Sequence, residues 1–282
     1  MISISSLYER LRHRLHTVSN SPQSDALHII KHSLGLKRIE DVLSNWSMEL
    51  SYDKVKLCML NLRKRLLNEP LSYITSSREF WSMEFYVDKN TLIPRHETEV
   101  IIEAFIDIFP DKLSNLKILD LGTGSGCIML SILATYSNSI GTGVDLCEKA
   151  LAVAEKNAKN LGLIDRTLLK QSDWFSNVSG KFDVIVSNPP YISAIDLNRT
   201  GKEVKDFEPK LALTDFGDGF TCYRKIAACL KTFLKEGGIG LFEIGFGQKE
   251  GILDIFESNN LKVLNIYKDI NGIDRVISIS NR

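Results

Sequence analysis

The stretch Ile118–Ile128, ILDLGTGSGCI, decides the fold of this chain. An apolar, strand-like segment leads into a turn with glycine at positions 122, 124 and 126, and an apolar segment of helical character follows. Glycine at a strand-to-helix turn lets a ligand approach the backbone closely. The dinucleotide pattern G-x-G-x-x-G would require glycine where Cys127 stands, and the triphosphate-binding pattern G-x-x-x-x-G-K-[ST] is absent. The turn therefore suits a nucleoside without a pyrophosphate.

Strands and helices alternate on the C-terminal side of this turn. The apolar segments IGTGVDL (140–146) and FDVIVS (182–187) are strand candidates, and EKALAVAEKNAKNLG (148–162) is an amphipathic helix candidate between them. Apolar strands separated by amphipathic helices predict a parallel sheet that is covered on both faces. The predicted fold class is α/β, a doubly wound and mostly parallel sheet, preceded by a small helical bundle.

Changes in hydrophobic period predict three regions. Residues 1–78 have the pattern of three or four short helices that form the bundle. Residues 79–94 alternate around Met83, Phe85 and Val87, and the sequence DKN that follows supplies a turn, which predicts a β-hairpin linker. Residues 95–282 contain the alternating strands and helices of the sheet domain.

Composition narrows the class of protein. Lys plus Arg and Asp plus Glu both total 35, so the chain lacks the basic excess of most tight nucleic-acid binders. The five cysteines form no C-x-x-C pair, which favours reduced packing residues over a disulfide or zinc framework. The N-terminus has no apolar signal region, and no stretch approaches the roughly 20 apolar residues of a membrane span. We expect a cytoplasmic protein without a metal.

Further candidate ligand-binding residues follow the next two strands. Asp145 ends the strand GVDL, where a carboxylate can accept hydrogen bonds from both ribose hydroxyls. The segment SDWF (172–175) brings Trp174 to the same carboxyl edge of the sheet, where it could form one wall of an adenine site. Trp174 by itself fits a core-filling role equally well. Together with the glycine turn and Asp145, the adenine role is favoured.

The segment SNPPYI, Ser187–Ile192, follows an apolar strand. Two consecutive prolines fix φ twice and remove two backbone donors, so the segment is predicted to be a rigid loop. Its carbonyl oxygens remain free to accept hydrogen bonds beside the amide of Asn188 and the ring of Tyr191. This set of groups suits a flat ligand that carries an NH2 group.

Taken in order, LDLGTGSG, GVDL, SDWF and NPPYI resemble the class I S-adenosylmethionine-dependent methyltransferases that modify planar amino or amide nitrogens. FWSMEFYVDKNTLIPRHETE, VKDFEPKLALTDFGDGFTCY, LFEIGFGQ and YKDINGIDRV are similar to the peptide-chain release factor glutamine methyltransferases, the HemK/PrmC family. The similarity runs from about residue 70 to residue 282. That family also carries a small helical N-terminal domain.

The resemblance implies S-adenosylmethionine as methyl donor and no metal. It implies as acceptor the glutamine of the GGQ loop in class I bacterial release factors, with no membrane and no direct nucleic-acid substrate. The implied cofactor-binding residues are Gly122, Thr123, Gly124, Ser125, Gly126, Asp145, Trp174 and Asn188. The implied substrate-binding residues are Asn188, Pro189, Pro190 and Tyr191, and Asn188, Pro189 and Tyr191 are the catalytic candidates. Residues 1–78 are expected to dock the protein substrate, since one loop glutamine offers little area for recognition.

Two other functions stay open at this point. The same N-P-P-Y chemistry serves the exocyclic amines of nucleic-acid bases, so a nucleic-acid methyltransferase is the leading alternative. A non-catalytic, cofactor-sensing partner of the translation machinery is a second.

Four charged residues near the motifs also have two interpretations each. Glu97 and Glu99 either border the cofactor or cap a helix. Arg95 is equally open, and Glu208 either shapes the substrate entrance or is an exposed loop carboxylate.

Overall fold

The computed structural model describes residues 2–281. Its α-helices are, in chain order, α1 Ile4–Leu15, α2 Pro22–Leu34, α3 Ile39–Ser44, α4 Tyr52–Leu66, α5 Leu71–Thr75, α6 Glu99–Ile108, α7 Cys127–Thr135, α8 Glu148–Asn160, α9 Lys202–Phe207, α10 Lys210–Leu213, α11 Thr221–Phe233 and α12 Lys249–Ser258. Its strands are β1 Ile2–Ser3, β2 Glu49–Leu50, β3 Arg78–Phe80, β4 Met83–Phe85, β5 Lys117–Leu121, β6 Ile140–Asp145, β7 Thr167–Gln171, β8 Phe182–Ser187, β9 Leu234–Glu243, β10 Lys262–Lys268 and β11 Asp274–Ser280. The chain divides into two compact units, residues 1–77 with 201–207, and residues 78–200 with 208–282.

The first unit is a helical bundle with its own core. Leu7, Leu11 and Leu15 lie one helical turn apart on α1 and are fully or almost fully buried. They share this core with residues of α2 and α4, among them Ile29 and Leu62. The spacing of apolar residues along each helix thus produces one common apolar interior.

An ion-pair cluster explains why residues 201–207 belong to this first unit. Arg65 on α4 is buried, and its Nε donates to Asp25 Oδ2 at 2.8 Å. Its second guanidinium nitrogen donates to Glu203 Oε1 on α9 at 2.6 Å. A buried guanidinium needs such partners. Because Glu203 is one of them, α9 packs with the helices of the first unit. The sequence pattern gave no indication that α9 packs here.

A two-stranded hairpin opens the second unit. β3 and β4 pair antiparallel, and Trp81 and Ser82 form the turn with φ values of 51° and 56°. Left-handed backbone at both central positions is what a type I′ two-residue turn requires. The prediction that DKN (88–90) supplies the hairpin turn was wrong, because that sequence closes a separate turn in which Thr91 N donates to Asp88 O at 3.1 Å.

A seven-stranded sheet forms the frame of the second unit. The strand order is β10-β11-β9-β8-β5-β6-β7; β5 to β9 run parallel, and β10 and β11 are antiparallel to their neighbours. Two apolar clusters of this unit bring helices against the sheet, one formed with α6 and α7 and the other with α11 and α12. The prediction of a doubly wound, mostly parallel α/β sheet with an N-terminal helical region is confirmed.

The strand order also fixes where a ligand can bind. The chain proceeds from β5 outward to β6 and β7, then returns to place β8 on the other side of β5. The connections on either side of this reversal leave a crevice at the carboxyl ends of β5 and β8. The glycine turn follows β5, and the NPPY loop follows β8. Two of the predicted motifs therefore flank the same crevice.

Candidate active site

The glycine turn after β5 owes its shape to three left-handed residues. Gly122, Gly124 and Gly126 have φ values of 71°, 55° and 80°. The amides of Gly122 and Thr123 donate to Val144 O at 2.8 and 2.9 Å, which folds the turn back onto β6. Gly126 is the N-cap residue of α7. Residues with a side chain rarely adopt these angles, so the turn depends on glycine.

Asp145 stands at the end of β6 and is tied to the glycine turn. Its Oδ2 accepts from Gly124 N at 2.9 Å, and its Oδ1 accepts from Cys147 N at 2.9 Å. Burial raises the pKa of this carboxyl group, and the two backbone donors oppose that rise. Each oxygen keeps a second acceptor site, so both can still receive hydroxyl hydrogens from a ligand.

A cavity of about 300 Å³ opens between these elements. Eight of the predicted site residues line it, namely Gly122, Thr123, Gly124, Ser125, Asp145, Trp174, Asn188 and Pro190. Gly126, Pro189 and Tyr191 do not line it. The wall is mainly apolar and includes Ile128, Leu146 and Ala150. A mainly apolar wall with a few directed polar groups is typical of a small-molecule site.

Trp174 is held at the cavity wall by its own backbone. Its φ is 51°, and its carbonyl oxygen accepts from Ser172 Oγ at 2.7 Å. The ring is partly buried and packs against the apolar cluster of α11 and α12. Trp174 therefore lines the cavity and contributes to the core at once, so the two interpretations of its sequence position are compatible.

The NPPY loop leaves β8 beside the glycine turn. Ser187 Oγ donates to Leu121 O at 2.6 Å, which joins the ends of β8 and β5. Asn188 Nδ2 donates to Thr98 Oγ1 at 3.1 Å. Pro189 is buried, and within residues 2–281 its carbonyl oxygen accepts no backbone hydrogen bond. The Asn188 Oδ1 and the Pro189 carbonyl thus remain available as acceptors.

Behind this loop lies a buried carboxyl group that the sequence motifs did not predict. Tyr191 Oη donates to Glu243 Oε1 at 3.3 Å, and Glu243 ends β9 with 1% of its surface exposed. Burial raises the pKa of Glu243 to about 7, although the Thr98 hydroxyl, Tyr191 and Arg275 each lower it. Burial and the Glu243 charge both raise the pKa of Tyr191. The signal in the sequence was a lone acid in the apolar strand GIGLFEIG.

A second buried carboxyl group lies under the glycine turn. Asp120 Oδ2 accepts from Thr123 Oγ1 at 2.7 Å, and Asp120 Oδ1 is buried with no hydrogen-bond partner in the described part of the chain. Burial raises the pKa of Asp120 to about 7. Burying this acid in an apolar place next to the cavity wall therefore lowers the stability of the folded state.

Asn157 on α8 is a positioning residue that the sequence motifs also did not predict. Its Nδ2 donates to Ser125 O and to Tyr86 O, both at 2.9 Å, and its Oδ1 accepts from Tyr86 N at 2.7 Å. One buried amide thereby joins the glycine turn to the segment that follows β4. An asparagine on the buried face of an amphipathic helix is the signal that could have revealed it.

The charged residues left open by sequence now have defined partners. Glu208 is buried rather than exposed: its Oε1 accepts from the Arg95 guanidinium at 2.5 Å and its Oε2 from Ile93 N at 3.2 Å. Arg95 lines the cavity, so this pair lies at the cavity wall. Glu99 begins α6 and accepts from Trp81 N at 2.9 Å. Neither Glu97 nor Glu99 lines the cavity.

Two kinds of feature are absent from the described residues. Within residues 2–281, no group of three or more His, Cys, Asp or Glu side chains is arranged to hold a metal ion. No helix in the same range is both long and apolar enough to cross a membrane.

Comparison with known proteins assigns this geometry to a family. A profile described as the PrmC N-terminal domain matches residues 6–75, and one described as the methyltransferase small domain matches residues 98–203. The release factor glutamine methyltransferase of Caulobacter vibrioides is 37% identical over 259 residues, which cover 92% of this chain and 89% of that protein. The chain belongs to the release factor glutamine methyltransferase family. The resemblance indicated by the sequence motifs is confirmed.

A longer relative and a structure that shares only the fold also match this chain. The bifunctional methyltransferase of Rickettsia bellii is 36% identical over 291 residues, which cover 94% of this chain but 52% of that protein. The chain thus spans about half the length of this bifunctional relative. Among solved structures, the hMettl16 catalytic domain in complex with a MAT2A 3′UTR hairpin has a TM-score of 0.58 and 16% identity, covering 79% of this chain and 82% of that chain. That similarity concerns the fold alone.

Proposed function

We propose that this protein transfers a methyl group from S-adenosylmethionine to the side-chain amide nitrogen of the glutamine in the GGQ motif of class I peptide chain release factors. The observation that carries the proposal is the acceptor pair at the NPPY loop, Asn188 Oδ1 and the Pro189 carbonyl, in a chain of this family. A primary amide has two hydrogens on one nitrogen, which two acceptors can bind together. The proposal covers the whole protein's activity and its partner.

The residues around the cavity fit S-adenosylmethionine. Asp145 has a free acceptor site on each oxygen for the two ribose hydroxyls, and Trp174 offers a flat wall for adenine. Gly122 and Gly124 leave room for close approach, and the cavity of about 300 Å³ is in the range of small-molecule sites. When bound, S-adenosylmethionine supplies a methyl group on a sulfonium centre, whose sulfur–carbon bond breaks as the amide nitrogen forms its new carbon–nitrogen bond.

The chain's own residues prepare the amide for this reaction. The lone pair of an amide nitrogen is delocalised into its carbonyl group, which makes the nitrogen a poor nucleophile. Asn188 Oδ1 and the Pro189 carbonyl would each accept one amide hydrogen, fix the NH2 group and stabilise the positive charge that develops on it. Tyr191 would pack on the amide plane. The methylated nitrogen then loses one hydrogen as a proton, so no base has to act before the attack.

The same acceptors give the site its specificity. A glutamate side chain carries no amide hydrogens, so it would leave both acceptors unpaired. Its negative charge would also lie next to two oxygens that carry partial negative charge. We therefore propose glutamine as the residue selected within the GGQ loop. The first unit offers the area that recognition of a folded protein substrate needs, and we propose that it docks the release factor in the cytoplasm.

Methyl incorporation tests the proposal directly. Labelled S-adenosylmethionine is supplied with a class I release factor, the same factor with its GGQ glutamine replaced by alanine, DNA and RNA, and peptide mass spectrometry locates the label. We expect a methyl group on the GGQ glutamine and none in the substituted factor. Label in nucleic acid alone would overturn the substrate and favour the nucleic-acid methyltransferase alternative.

A substitution assigns the role of the NPPY amide. Asn188→Ala removes one of the two acceptors, so we expect a loss of transfer of at least ~100-fold, by analogy with removal of one oxyanion-hole group. The affinity for S-adenosylmethionine should change far less. Asn160→Ala replaces an exposed asparagine at the end of α8 and should leave both quantities unchanged. An equal collapse of cofactor affinity in Asn188→Ala would contradict the assigned role.

A further inference from the structure

We propose that Thr98 and Glu243 are positioning residues, which fix the orientation of the Asn188 side-chain amide so that its oxygen faces the acceptor substrate. This inference rests on the proposed function and deepens it, because it says how the site selects an NH2 group. A rotation of about 180° about the last side-chain bond of asparagine exchanges the amide oxygen and the NH2 group, so that a donor takes the place of an acceptor. An acceptor site built from asparagine therefore needs a second contact that excludes the reversed orientation.

Thr98 provides that second contact. Asn188 Nδ2 donates to Thr98 Oγ1 at 3.1 Å, and Thr98 is 2% exposed at the start of α6. The contact fixes the amino end of the amide against Thr98, so Oδ1 is the end left for a ligand. Both Thr98 and Asn188 line the cavity.

A hydroxyl group has one hydrogen, so Thr98 needs a partner that makes it an acceptor toward Asn188. We infer that Glu243 is that partner, because its carboxyl group is buried behind the NPPY loop, Tyr191 donates only to its Oε1, and the Thr98 hydroxyl lowers its pKa. Glu243 Oε2 is buried and has no hydrogen-bond partner within residues 2–281, so this oxygen is a free acceptor for the Thr98 hydrogen. While Glu243 is a carboxylate it can only accept, so the Thr98 hydrogen points to it and the Thr98 lone pairs point to Asn188.

Protonation of Glu243 would remove this constraint. A protonated carboxyl group can donate to Thr98, which frees the hydroxyl hydrogen to point at Asn188 and favours the reversed amide. Burial raises the pKa of Glu243 to about 7, so the change falls near neutral pH. Five titratable or charged groups interact with this carboxyl group: Tyr191 after β8, Tyr223 on α11, Arg275 on β11, Cys127 on α7 and Glu97 before α6. Burial raises the pKa of both tyrosines and of Cys127, so all three stay neutral near pH 7 and leave Glu243 as the group that changes charge.

Variants at Thr98 test the contact. Thr98→Val keeps the shape and removes the hydroxyl, which leaves the Asn188 amino group without its partner, so kcat for the release factor should fall about tenfold or more. Thr98→Ser keeps the hydroxyl and should stay within about threefold of the wild type. The affinity for S-adenosylmethionine is measured in each variant to separate effects on the cavity.

A second readout reports the orientation itself. The dissociation constants of release factors with GGQ and with GGE are compared in the wild type and in Thr98→Val. The wild type should bind GGQ more tightly, and the ratio should move toward one in Thr98→Val, because the reversed amide presents a donor to the glutamate. A role of Thr98 in packing alone would weaken both affinities together and leave the ratio unchanged.

The pH profile tests Glu243. Wild-type kcat should fall as the pH falls through about 7, the pKa of Glu243, and Glu243→Gln should lose this acidic limb and have a lower kcat at pH 8. Asp120 also has a pKa of about 7, so Asp120→Asn is the control, and it should keep the limb in kcat. A limb that persists with the same midpoint in Glu243→Gln, or a Thr98→Val enzyme with wild-type kcat and ratio, would overturn the inference.

The two proposals fail in different ways. If wild-type protein does not methylate the release factor, the proposed function is wrong. If it does, while Thr98→Val and Glu243→Gln behave as the wild type, only the positioning role is wrong.

Discussion

Gly124 and Gly126 occupy similar left-handed positions in the glycine turn, but only Gly124 lines the cavity. Alanine at each position should therefore separate a glycine required for ligand approach from one required for packing. Gly124→Ala is expected to affect mainly cofactor binding. Gly126→Ala is expected to affect mainly the stability of the fold.

The surroundings of each glycine set the magnitudes. A Cβ at position 126 would lie 3.0 Å from Leu130 Cδ1 and 3.4 Å from Ala154 Cβ, whereas at position 124 the nearest atom is Gly122 O at 3.9 Å. Positive φ costs a residue with a Cβ roughly 1–2 kcal/mol at either position. Crowding at position 126 adds about 1 kcal/mol. A small gain from the stiffer unfolded chain offsets part of these costs, so we expect net losses of about 1 kcal/mol for Gly124→Ala and about 2 kcal/mol for Gly126→Ala.

Two measurements check this separation. Urea unfolding followed by circular dichroism gives the free energy of unfolding, and titration calorimetry gives the affinity for S-adenosylmethionine. Gly124→Ala should weaken that affinity at least about tenfold, which is 1.4 kcal/mol, and Gly126→Ala no more than about threefold. If Gly126→Ala weakens cofactor binding more than Gly124→Ala does, Gly126 contacts the cofactor and the reasoning from the cavity lining is refuted.

Two further predictions concern stability. Glu243 and Asp120 have pKa values of about 7 in the folded protein, above their ordinary values, so the folded state binds more protons than the unfolded state between about pH 4 and pH 7. The free energy of unfolding should fall as the pH rises through that window, by on the order of 3 kcal/mol for each group, and Glu243→Gln with Asp120→Asn should flatten the dependence measured by urea titration at several pH values. In the first unit, Asp25→Asn removes the anion at Arg65 Nε, while Glu203 still pairs with the guanidinium. Urea unfolding should show that the free energy of unfolding falls by about 2 kcal/mol. An unchanged free energy of unfolding would mean that the Arg65–Asp25 pair adds nothing to stability.

Much of the frame could be predicted because its signals are local. The glycine turn, the acid at the end of GVDL and the rigid NPPY loop each follow an apolar strand, and the ends of parallel strands meet at one edge of a sheet. That rule brings Gly124, Asp145 and Asn188 to one cavity without any knowledge of the side-chain contacts. The hairpin turn was misplaced because DKN has turn-forming residues, whereas Trp81 and Ser82 adopt left-handed angles that their residue types do not signal.

The remaining site residues depend on contacts between distant parts of the chain. Thr98 meets Asn188 across 90 residues, and Asn157 meets Tyr86 across 71. Each is a polar residue in an apolar surrounding, which sequence periodicity reveals as an exception but cannot pair with a partner. The same limit applies to α9, whose place in the first unit depends on the Arg65 ion pairs rather than on its own pattern.

The two buried acids show what the fold gives up at the site. Asp120 and Glu243 lie on β5 and β9, the strands on either side of β8, and each has one oxygen without a partner in the described residues. An apolar side chain at either place would remove a desolvated carboxyl group and stabilise the sheet. Glu243 can be exchanged in this way only with the loss of the group that makes Thr98 an acceptor. The buried Glu243 carboxyl group therefore costs stability in β9, and in the proposed site it fixes the Asn188 amide through Thr98. An enzyme that selects NH2 groups by hydrogen bonding needs that amide fixed.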